Sequence, residues 1–206
     1  MRARMQTEVM SMPLVIKLGG SLLSDPRDGR LERWCDWLGG EHAGQCVVVA
    51  GGGPFADAVR ASQVRWKFPD DVAHRMALRA MDQYALMLAE SRPGLVAADE
   101  MARMTDLCAA GRTPVWMPAR ELDARLDLPR DWRVTSDSLA VWLARQLGLP
   151  RVLLVKSCDI PDESLAALAG RGIVDAWLPG LAAESGIAVH LTQADGPLPG
   201  QANGRS

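Results

Sequence analysis

Several classes of protein are excluded by what this sequence lacks. No apolar run approaches the ~20 residues of a membrane span, and the polar segment 1–12 has no apolar core of the signal-peptide kind. The formal net charge of -2 argues against a surface that coats nucleic acid or anionic lipid. We therefore expect a cytoplasmic protein with neither a membrane nor a nucleic-acid partner.

Cysteine and histidine are too few and too scattered for a disulfide framework or a zinc site. The four cysteines contain no C-x-x-C pair, a pattern that suits reduced thiols in the cytosol. None of the three histidines is spaced like a pair of metal ligands. The P-loop motif G-x-x-x-x-G-K-[ST] is also absent from the sequence. We therefore predict no metal site built from protein side chains and no P-loop.

Short apolar segments alternate with helical patterns along the chain. The segments that predict buried strands are 13–18, 45–50, 94–98, 113–117, 151–156 and 187–192. The apolar spacing predicts helices near 31–38, from Pro54 onward, and over 71–90, 99–110, 136–148 and 162–169. Residues 118–133 have the polar, irregular character of a surface loop. This alternation indicates an α/β fold with a mostly parallel central sheet.

Two glycine segments follow the first two predicted strands. "VIKLGGSLL" places Lys17 just before Gly19, Gly20 and Ser21, and "VVVAGGGPFADA" places Gly51, Gly52 and Gly53 before a helix. Each could be an ordinary tight turn, and Lys17 an edge charge. The second segment also fits the dinucleotide fingerprint, but there the glycines should follow the first strand. Because parallel strands open their carboxyl ends on one side, the two segments together predict a phosphate site.

Two further segments place charged residues at the same predicted edge. In "TSDSLAVWLARQLG", Asp137 falls in the first turn of a helix, where a carboxylate suits the helix dipole. A cap alone would account for it; the functional alternative is that Asp137 orients Lys17. In "LLVKSCDI", Lys156, Ser157 and Asp159 end a strand, either as solvated loop residues or facing a ligand.

In this order, the four segments resemble the motifs of the amino acid kinase superfamily, over about residues 13–192. The resemblance implies a three-layer α/β/α sandwich in which ATP and an acceptor meet along the carboxyl edge of the sheet. It implies a single kinase domain over 13–192, with a disordered N-terminus at 1–12 and a C-terminal tail at 193–206. Family members often dimerise through helices that flank the sheet, so we expect a homo-oligomer.

The resemblance also implies a role for each motif residue. Lys17 would stabilise the transferring phosphoryl group, and Asp137 would organise the lysines. The nucleotide phosphates would lie near Gly19, Gly20, Ser21, Lys156, Ser157 and Asp159. The acceptor would lie against Gly51, Gly52 and Gly53. The Mg²⁺ ion would be held through the ATP phosphates, and positioning with charge neutralisation would supply most of the catalysis.

The chain departs from the fuller members of that family late in its sequence. Where acetylglutamate-type kinases carry a second catalytic lysine, "RGIVDAW" places Asp175. This is closer to the uridylate kinase branch, and it leaves Lys156 or an arginine as the alternative second cation. The departure also keeps open a nucleotide-binding protein of this fold that does not turn over.

The segment 65–92 is expected to line the acceptor pocket, because the helix after the glycine turn does so in that family. "AHRMALRAMDQYALMLA" resembles small kinases assigned to methanofuran biosynthesis, which convert [5-(aminomethyl)furan-3-yl]methyl phosphate to its diphosphate. A helix that bears His74 also resembles the isopentenyl phosphate kinases, in which a histidine holds the acceptor phosphate. Arg75, four residues before Arg79 on one helix face, is a candidate to bind phosphate, and Asp82 is a candidate to meet the amine. Solvated or core positions on the helix are the alternative reading for all three.

The sequence therefore predicts an ATP-dependent kinase that uses ATP and Mg²⁺ on a small phosphorylated acceptor. The aminomethylfuran phosphate is the first choice of acceptor. Isopentenyl phosphate, UMP or an amino acid carboxylate are the alternatives within the class. A non-catalytic nucleotide-binding protein and, less well supported, a Rossmann oxidoreductase are the alternatives outside it.

Overall fold

The computed structural model describes residues 14–23, 29–123, 125 and 127–200. Within these ranges the strands form one sheet in the order β3-β4-β2-β1-β5-β6, and every pair in it is parallel. The strands are β1 Leu14–Leu18, β2 Cys46–Ala50, β3 Leu95–Ala98, β4 Thr113–Trp116, β5 Arg151–Lys156 and β6 Ala188–Gln193. Each predicted strand is present, and the mostly parallel sheet is confirmed.

Helices connect the strands, as a parallel sheet requires. They are α1 Arg30–Gly39, α2 Gly53–Trp66, α3 Asp70–Ser91, α4 Met104–Ala109, α5 Ala119–Leu122, α6 Ser136–Gln146, α7 Leu165–Gly170 and α8 Leu178–Ser185. Short 3₁₀ turns cover Gly20–Leu23 and Met101–Arg103. Among the described helices, none combines the length and the apolar character that a membrane crossing needs.

Two apolar cores lie on opposite faces of the sheet. Because side chains alternate along a strand, β1 sends Val15 to one core and Ile16 to the other. The first core packs the sheet against α6 and the helices beside it, including Leu139, Leu143 and Leu178. The second packs the opposite face against α1 and the end of α3. Helices therefore cover both faces, and the three-layer α/β/α sandwich is confirmed.

The alternation also decides where the two lysines of the predicted site point. Lys17 lies two residues after Val15, and Lys156 two residues after Leu154, so both continue the alternation that faces α6. The strands β1 and β5 are neighbours in the sheet, with Lys17 opposite Leu154. The two lysines are therefore placed on adjacent strands and on the same face.

Three stretches differ from the prediction. The segment 118–133 is more than a surface loop, because it contains α5 and buries Leu122 and Leu128 against the first core. Helix α8 carries little amphipathic signal in its short sequence, and the sequence did not predict it. Gln193 belongs to β6, and the carbonyl of Ala194 accepts a hydrogen bond from Trp34 Nε1 (3.0 Å), so the start of the expected tail is packed. Residues 1–12 lie outside the described residues.

Candidate functional site

A cleft of about 900 Å³ lies at the carboxyl edge of the sheet. Both glycine segments, both lysines and Asp137 line it, together with residues of α2, α3, the loop before α6 and the segment 169–176. The predicted residues in its lining are Lys17, Gly19, Gly20, Ser21, Gly51, Gly52, Gly53, His74, Asp137, Lys156 and Ser157. The structure therefore brings together most of the predicted site.

The floor of the cleft is one carboxylate held between two ammonium groups. Lys17 Nζ lies 2.9 Å from Asp137 Oδ1, and Lys156 Nζ donates a hydrogen bond to Oδ2 at 2.6 Å. All three side chains are buried. Lys156 thus occupies the place of the second cation that the sequence left open.

The pKa values of Asp137 and Lys156 are shifted by burial and by the neighbouring charges. Burial raises the pKa of the Asp137 carboxyl, but the charges of Lys17 and Lys156 outweigh burial, so the net pKa lies below its ordinary value. Asp137 is therefore a carboxylate at neutral pH. Burial, together with the charge of Lys17, lowers the pKa of the Lys156 ammonium, and Asp137 opposes part of this shift. Two ammonium groups facing one carboxylate make this a place where an anion is stabilised.

The loop and helix around Asp137 are fixed by a second buried carboxylate. Asp175 accepts hydrogen bonds from the backbone N–H groups of Thr135 (2.9 Å), Ser138 (2.9 Å) and Leu178 (3.0 Å), and from the hydroxyls of Thr135 and Ser138. It therefore joins the N-terminus of α6 to that of α8, where a negative charge is favoured. Asp175 supports Asp137 rather than replacing a cation.

The two glycine segments contact each other through their backbones. A Cβ on Gly20 would lie 2.4 Å from the amide nitrogen of Gly53, and one on Gly51 would lie 2.4 Å from that of Gly20. Gly53 also has a positive φ of 50°. Only glycine permits this approach, so close packing explains part of the motif. Ser21 and Ser157 are within hydrogen-bond distance through their hydroxyls (2.6 Å), which links the first segment to the end of β5.

One face each of α2 and α3 lines the cleft. On α3 these residues are His74, Ala77, Leu78 and Met81, at the i, i+3, i+4 and i+7 spacing of a helix face. Burial lowers the pKa of His74, and the charge of Arg130 lowers it further. The imidazole is therefore neutral at neutral pH.

Three of the predicted site residues lie outside the cleft lining. Arg75 lies about 100° around the helix from His74, so it falls outside the face that lines the cleft. Its Nε donates a hydrogen bond to Asp123 Oδ1 (3.1 Å). Asp82 accepts a hydrogen bond from the backbone N–H of Ala119 (3.2 Å) and so caps α5. Asp159 accepts one from Gln193 Nε2 (2.7 Å).

The lining residues that the sequence did not predict include Arg60, Trp132 and Arg171. Arg60 lies on the face of α2 that also carries Gly53, Ala56 and Asp57, so helical spacing from the glycine turn could have found it. Trp132 and Arg171 come from irregular segments, where spacing carries no such signal. Arg171 pairs with Glu163 at the rim.

Solved structures share this architecture. Uridylate kinase from Archaeoglobus fulgidus superposes with a TM-score of 0.64 at 18% identity, covering 89% of this chain and 92% of that chain. UMP kinase from Ureaplasma parvum gives 0.67 at 14%, covering 90% and 91%. Aspartate kinase from Synechocystis gives 0.67 at 15%, covering 91% of this chain and 39% of the other. These similarities show the fold.

Sequence comparison gives a relative and a family. The [5-(aminomethyl)furan-3-yl]methyl phosphate kinase of Methanocaldococcus jannaschii is 25% identical over 146 residues, which span 70% of this chain and 66% of that protein's length. The model of the amino acid kinase family matches residues 12–160. That match contains both glycine segments, Lys17, Asp137 and Lys156, the residues that build the floor of the cleft. The chain belongs to the amino acid kinase family.

Proposed function

We propose that this chain is an ATP-dependent phosphotransferase acting on a small phosphorylated molecule, with [5-(aminomethyl)furan-3-yl]methyl phosphate as the acceptor. The kinase class follows from the family match over residues 12–160. The observation that carries the mechanism is the buried pairing of Lys17 and Lys156 with Asp137 at the floor of a cleft that two glycine segments border. The acceptor follows from the relative that acts on this furan phosphate.

Phosphoryl transfer needs charge neutralisation and alignment more than covalent chemistry. Lys17 lies on β1, between β2, which leads to Gly51, and β5, which leads to Ser157. We assign the β5 side to the nucleotide and the β2 side to the acceptor. In this arrangement the Lys17 ammonium contacts the phosphoryl group in flight, while Asp137 holds the ammonium in place. Lys156, on the neighbouring strand, neutralises charge on the nucleotide phosphates. Mg²⁺ would supply further neutralisation through the ATP phosphates; among the described residues, no three carboxylates, histidines or cysteines form a metal cage.

The acceptor end of the cleft suits a small ring that carries a phosphate. Ala77, Leu78 and Met81 supply apolar surface from α3. Isopentenyl phosphate and UMP share the phosphate but differ in the group behind it. A nucleotide-binding protein without turnover is the alternative from another class, which the missing late lysine favours.

The proposal is tested by a coupled ADP-release assay with Mg-ATP and a panel of acceptors. The panel contains the furan phosphate, isopentenyl phosphate and UMP, with aspartate and glutamate as controls. We expect turnover on the furan phosphate above all others. Turnover on another member of the panel would support kinase activity but assign a different acceptor. Tight Mg-ATP binding without turnover on any member would contradict the kinase assignment.

Lys17→Ala is expected to lower kcat/KM by about 10²- to 10³-fold or more, because a charge aimed at the transition state is lost. The fold should survive, because Asp137 keeps Lys156 as a partner at 2.6 Å and the remaining pair is neutral. Lys17→Met, which keeps the length of the side chain, controls for the space left by alanine. Unchanged turnover in either variant would remove Lys17 from the mechanism.

A further inference from the structure

One cation in the cleft lies outside the Lys17–Asp137–Lys156 floor and faces the acceptor end. Arg60 lines the cleft from α2, seven residues after Gly53 and therefore on the same helix face. Its guanidinium lies over the ring of Trp132, with Cζ 4.3 Å from the ring centroid. Trp132 comes from the loop that leads into α6, so the contact joins two walls of the cleft.

The indole beneath Arg60 is held in a fixed orientation. Trp132 Nε1 donates a hydrogen bond to Gln63 Oε1 (2.7 Å). The amide of Gln63 is itself fixed, because its Nε2 donates to Asp70 Oδ1 at 2.7 Å and to the carbonyl of Phe68 at 3.3 Å. A chain of contacts from α2 to the start of α3 therefore sets the plane of the ring on which Arg60 lies.

A guanidinium stacked on a ring keeps the edge that bears its N–H groups free for an anion. That planar fork matches the oxygens of a phosphate, and stacking limits the entropy lost when it binds one. In the structure Arg60 Nη1 contacts Asp57 Oδ1 at 2.9 Å, but both side chains are at least half exposed (50% and 73%). Such a surface pair contributes at most about 1 kcal/mol, so a phosphate can displace it.

The other basic residues near this end of the cleft have partners within the protein or are uncharged, and Arg130 donates a hydrogen bond to the backbone carbonyl of Asp123. Arg75 and Arg79 both pair with Asp123, at 3.1 and 2.6 Å. His74 lines the cleft, but burial lowers its pKa and favours the neutral imidazole. Arg171 also lines the cleft, but it makes a two-point contact with Glu163, from Nε at 3.1 Å and from Nη2 at 2.8 Å. Arg60 is thus the side chain best placed to meet a negative charge on the acceptor.

We propose that Arg60, held flat on the indole of Trp132, binds the phosphate group that the acceptor already carries. Trp132 is then a positioning residue for Arg60, and Gln63 fixes Trp132. This inference rests on the proposed function and deepens it. It assigns recognition of the acceptor phosphate to two residues that lie outside the floor of the cleft.

The test measures acceptor binding and nucleotide binding separately. Isothermal titration calorimetry measures binding of the furan phosphate in the presence of a non-hydrolysable Mg-ATP analogue. A second titration measures binding of the analogue alone. We expect Arg60→Ala to weaken binding of the furan phosphate by about 10- to 100-fold, because charge-assisted hydrogen bonds are lost. Affinity for the analogue should change less than about twofold. In the coupled assay the loss should appear in the acceptor KM rather than in kcat.

The chain offers a matched control on the same helix. Arg65 also lies over an indole, with Cζ 5.6 Å from the ring of Trp66, but neither residue lines the cleft. Arg65→Ala removes the same charge and the same kind of contact, and it should leave both affinities unchanged. Equal effects of Arg60→Ala and Arg65→Ala would show that the change in net charge accounts for the loss of affinity, and this would overturn the proposal.

The positioning role of Trp132 is tested by two substitutions. Trp132→Phe keeps an aromatic face and loses the hydrogen bond to Gln63, so acceptor affinity should fall only a few-fold. Trp132→Leu removes the face, and it should approach the loss seen for Arg60→Ala while kcat is retained. Equal, small effects of both variants would show that the ring does not orient Arg60.

Three further outcomes separate this inference from the proposed function. Binding of the furan phosphate that depends on Arg60, without turnover in the wild type, would contradict the kinase assignment and leave the phosphate site standing. Turnover whose acceptor KM is unchanged in Arg60→Ala would overturn the inference alone. Wild-type protein that binds the carboxylates of aspartate or glutamate but none of the phosphates would also overturn it.

Discussion

The floor of the cleft brings two ammonium groups and one carboxylate together away from water. Lys17 and Lys156 contact different oxygens of Asp137, at 2.9 and 2.6 Å. Each lysine would be costly to bury alone, and Asp137 compensates both. When both lysines are protonated, one positive charge is left over, and the phosphates of a nucleotide can neutralise it. The same three side chains therefore serve stability without ligand and anion binding with it.

Asp137→Asn is expected to destabilise the protein by about 3–5 kcal/mol, because two buried ammonium groups would lose their shared carboxylate and repel each other. Chemical denaturation measures the change, and Mg-ATP should restore part of it. The control is Asp99→Asn, which disrupts the exposed pair with Arg120 and should cost less than about 1 kcal/mol. If Asp137→Asn cost no more than the control, the triad would not be a stabilising unit.

Helix ends determine how the elements around the cleft are joined. Asp175 satisfies backbone N–H groups at the start of both α6 and α8, and this fixes the turn that presents Asp137. Asp82 has the corresponding part for α5, because it accepts the N–H of Ala119. Burial raises the pKa of Asp82 to about 6, and the other influences on it are smaller. The hydrogen bond from Ala119 to Asp82 therefore joins α3 to α5, and it holds an ionisable carboxyl group in a partly buried position.

This raised pKa predicts a pH dependence of stability. Well below its ordinary pKa of 3.8, the carboxyl of Asp82 is protonated in both the folded and the unfolded chain, and its favourable contribution is complete. Between its ordinary value of 3.8 and about 6, the unfolded chain ionises first, so the free energy of unfolding falls as the pH rises. Since Asp82 is only partly buried, we expect the loss to be about 1 kcal/mol.

Asp82→Asn keeps an oxygen that can accept the N–H of Ala119 and removes the titration. The variant should therefore be more stable than the wild type at pH 8 by about 1 kcal/mol, with the difference vanishing near pH 3.5. Urea denaturation at a series of pH values measures it, with Asp106→Asn on the exposed side of α4 as the control. A constant difference across the series would contradict the pKa assignment.

At the scale of the whole molecule, one sheet carries both sides of the proposed reaction. The chain crosses the carboxyl edge repeatedly, so residues from Lys17 to Asp175 meet in a single cleft. We infer one kinase domain over residues 13–192, and the packing of Ala194 and Leu198 in the second core extends its folded part beyond that range. The expected homo-oligomer stays a prediction; Val64 and Trp66 are exposed apolar residues at the end of α2.

Mg-ATP is expected to stabilise the whole domain. At 100 times its Kd a ligand adds about 2.7 kcal/mol, which for a chain of this size raises Tm by about 5–10 °C. NAD should give a smaller shift, because we propose the cleft as a site for Mg-ATP and a phosphorylated acceptor. Scanning calorimetry compares the two ligands, and Lys156→Ala should reduce the shift caused by Mg-ATP. A larger shift with NAD would favour an oxidoreductase instead.

The sequence alone determined the architecture and the motif residues, because these depend on local patterns. Short apolar segments predicted each strand, and the position of Lys17 and Lys156 near strand ends predicted that both lie at the carboxyl edge of the sheet. Helix α8 and the packed segment 118–133 were missed, since their patterns are short or irregular and tertiary burial stabilises them.

Only the tertiary structure decided which side chains share the cleft. His74 faces it and Arg75 does not, and Arg60 and Trp132 meet across 72 positions of sequence. It also showed that Asp175 is a cap and that Lys156 is the second cation on Asp137. The physical reason is that strand parity and helix spacing are set by neighbours in the chain, whereas a charge pair or a stacked ring depends on how distant elements are oriented in space.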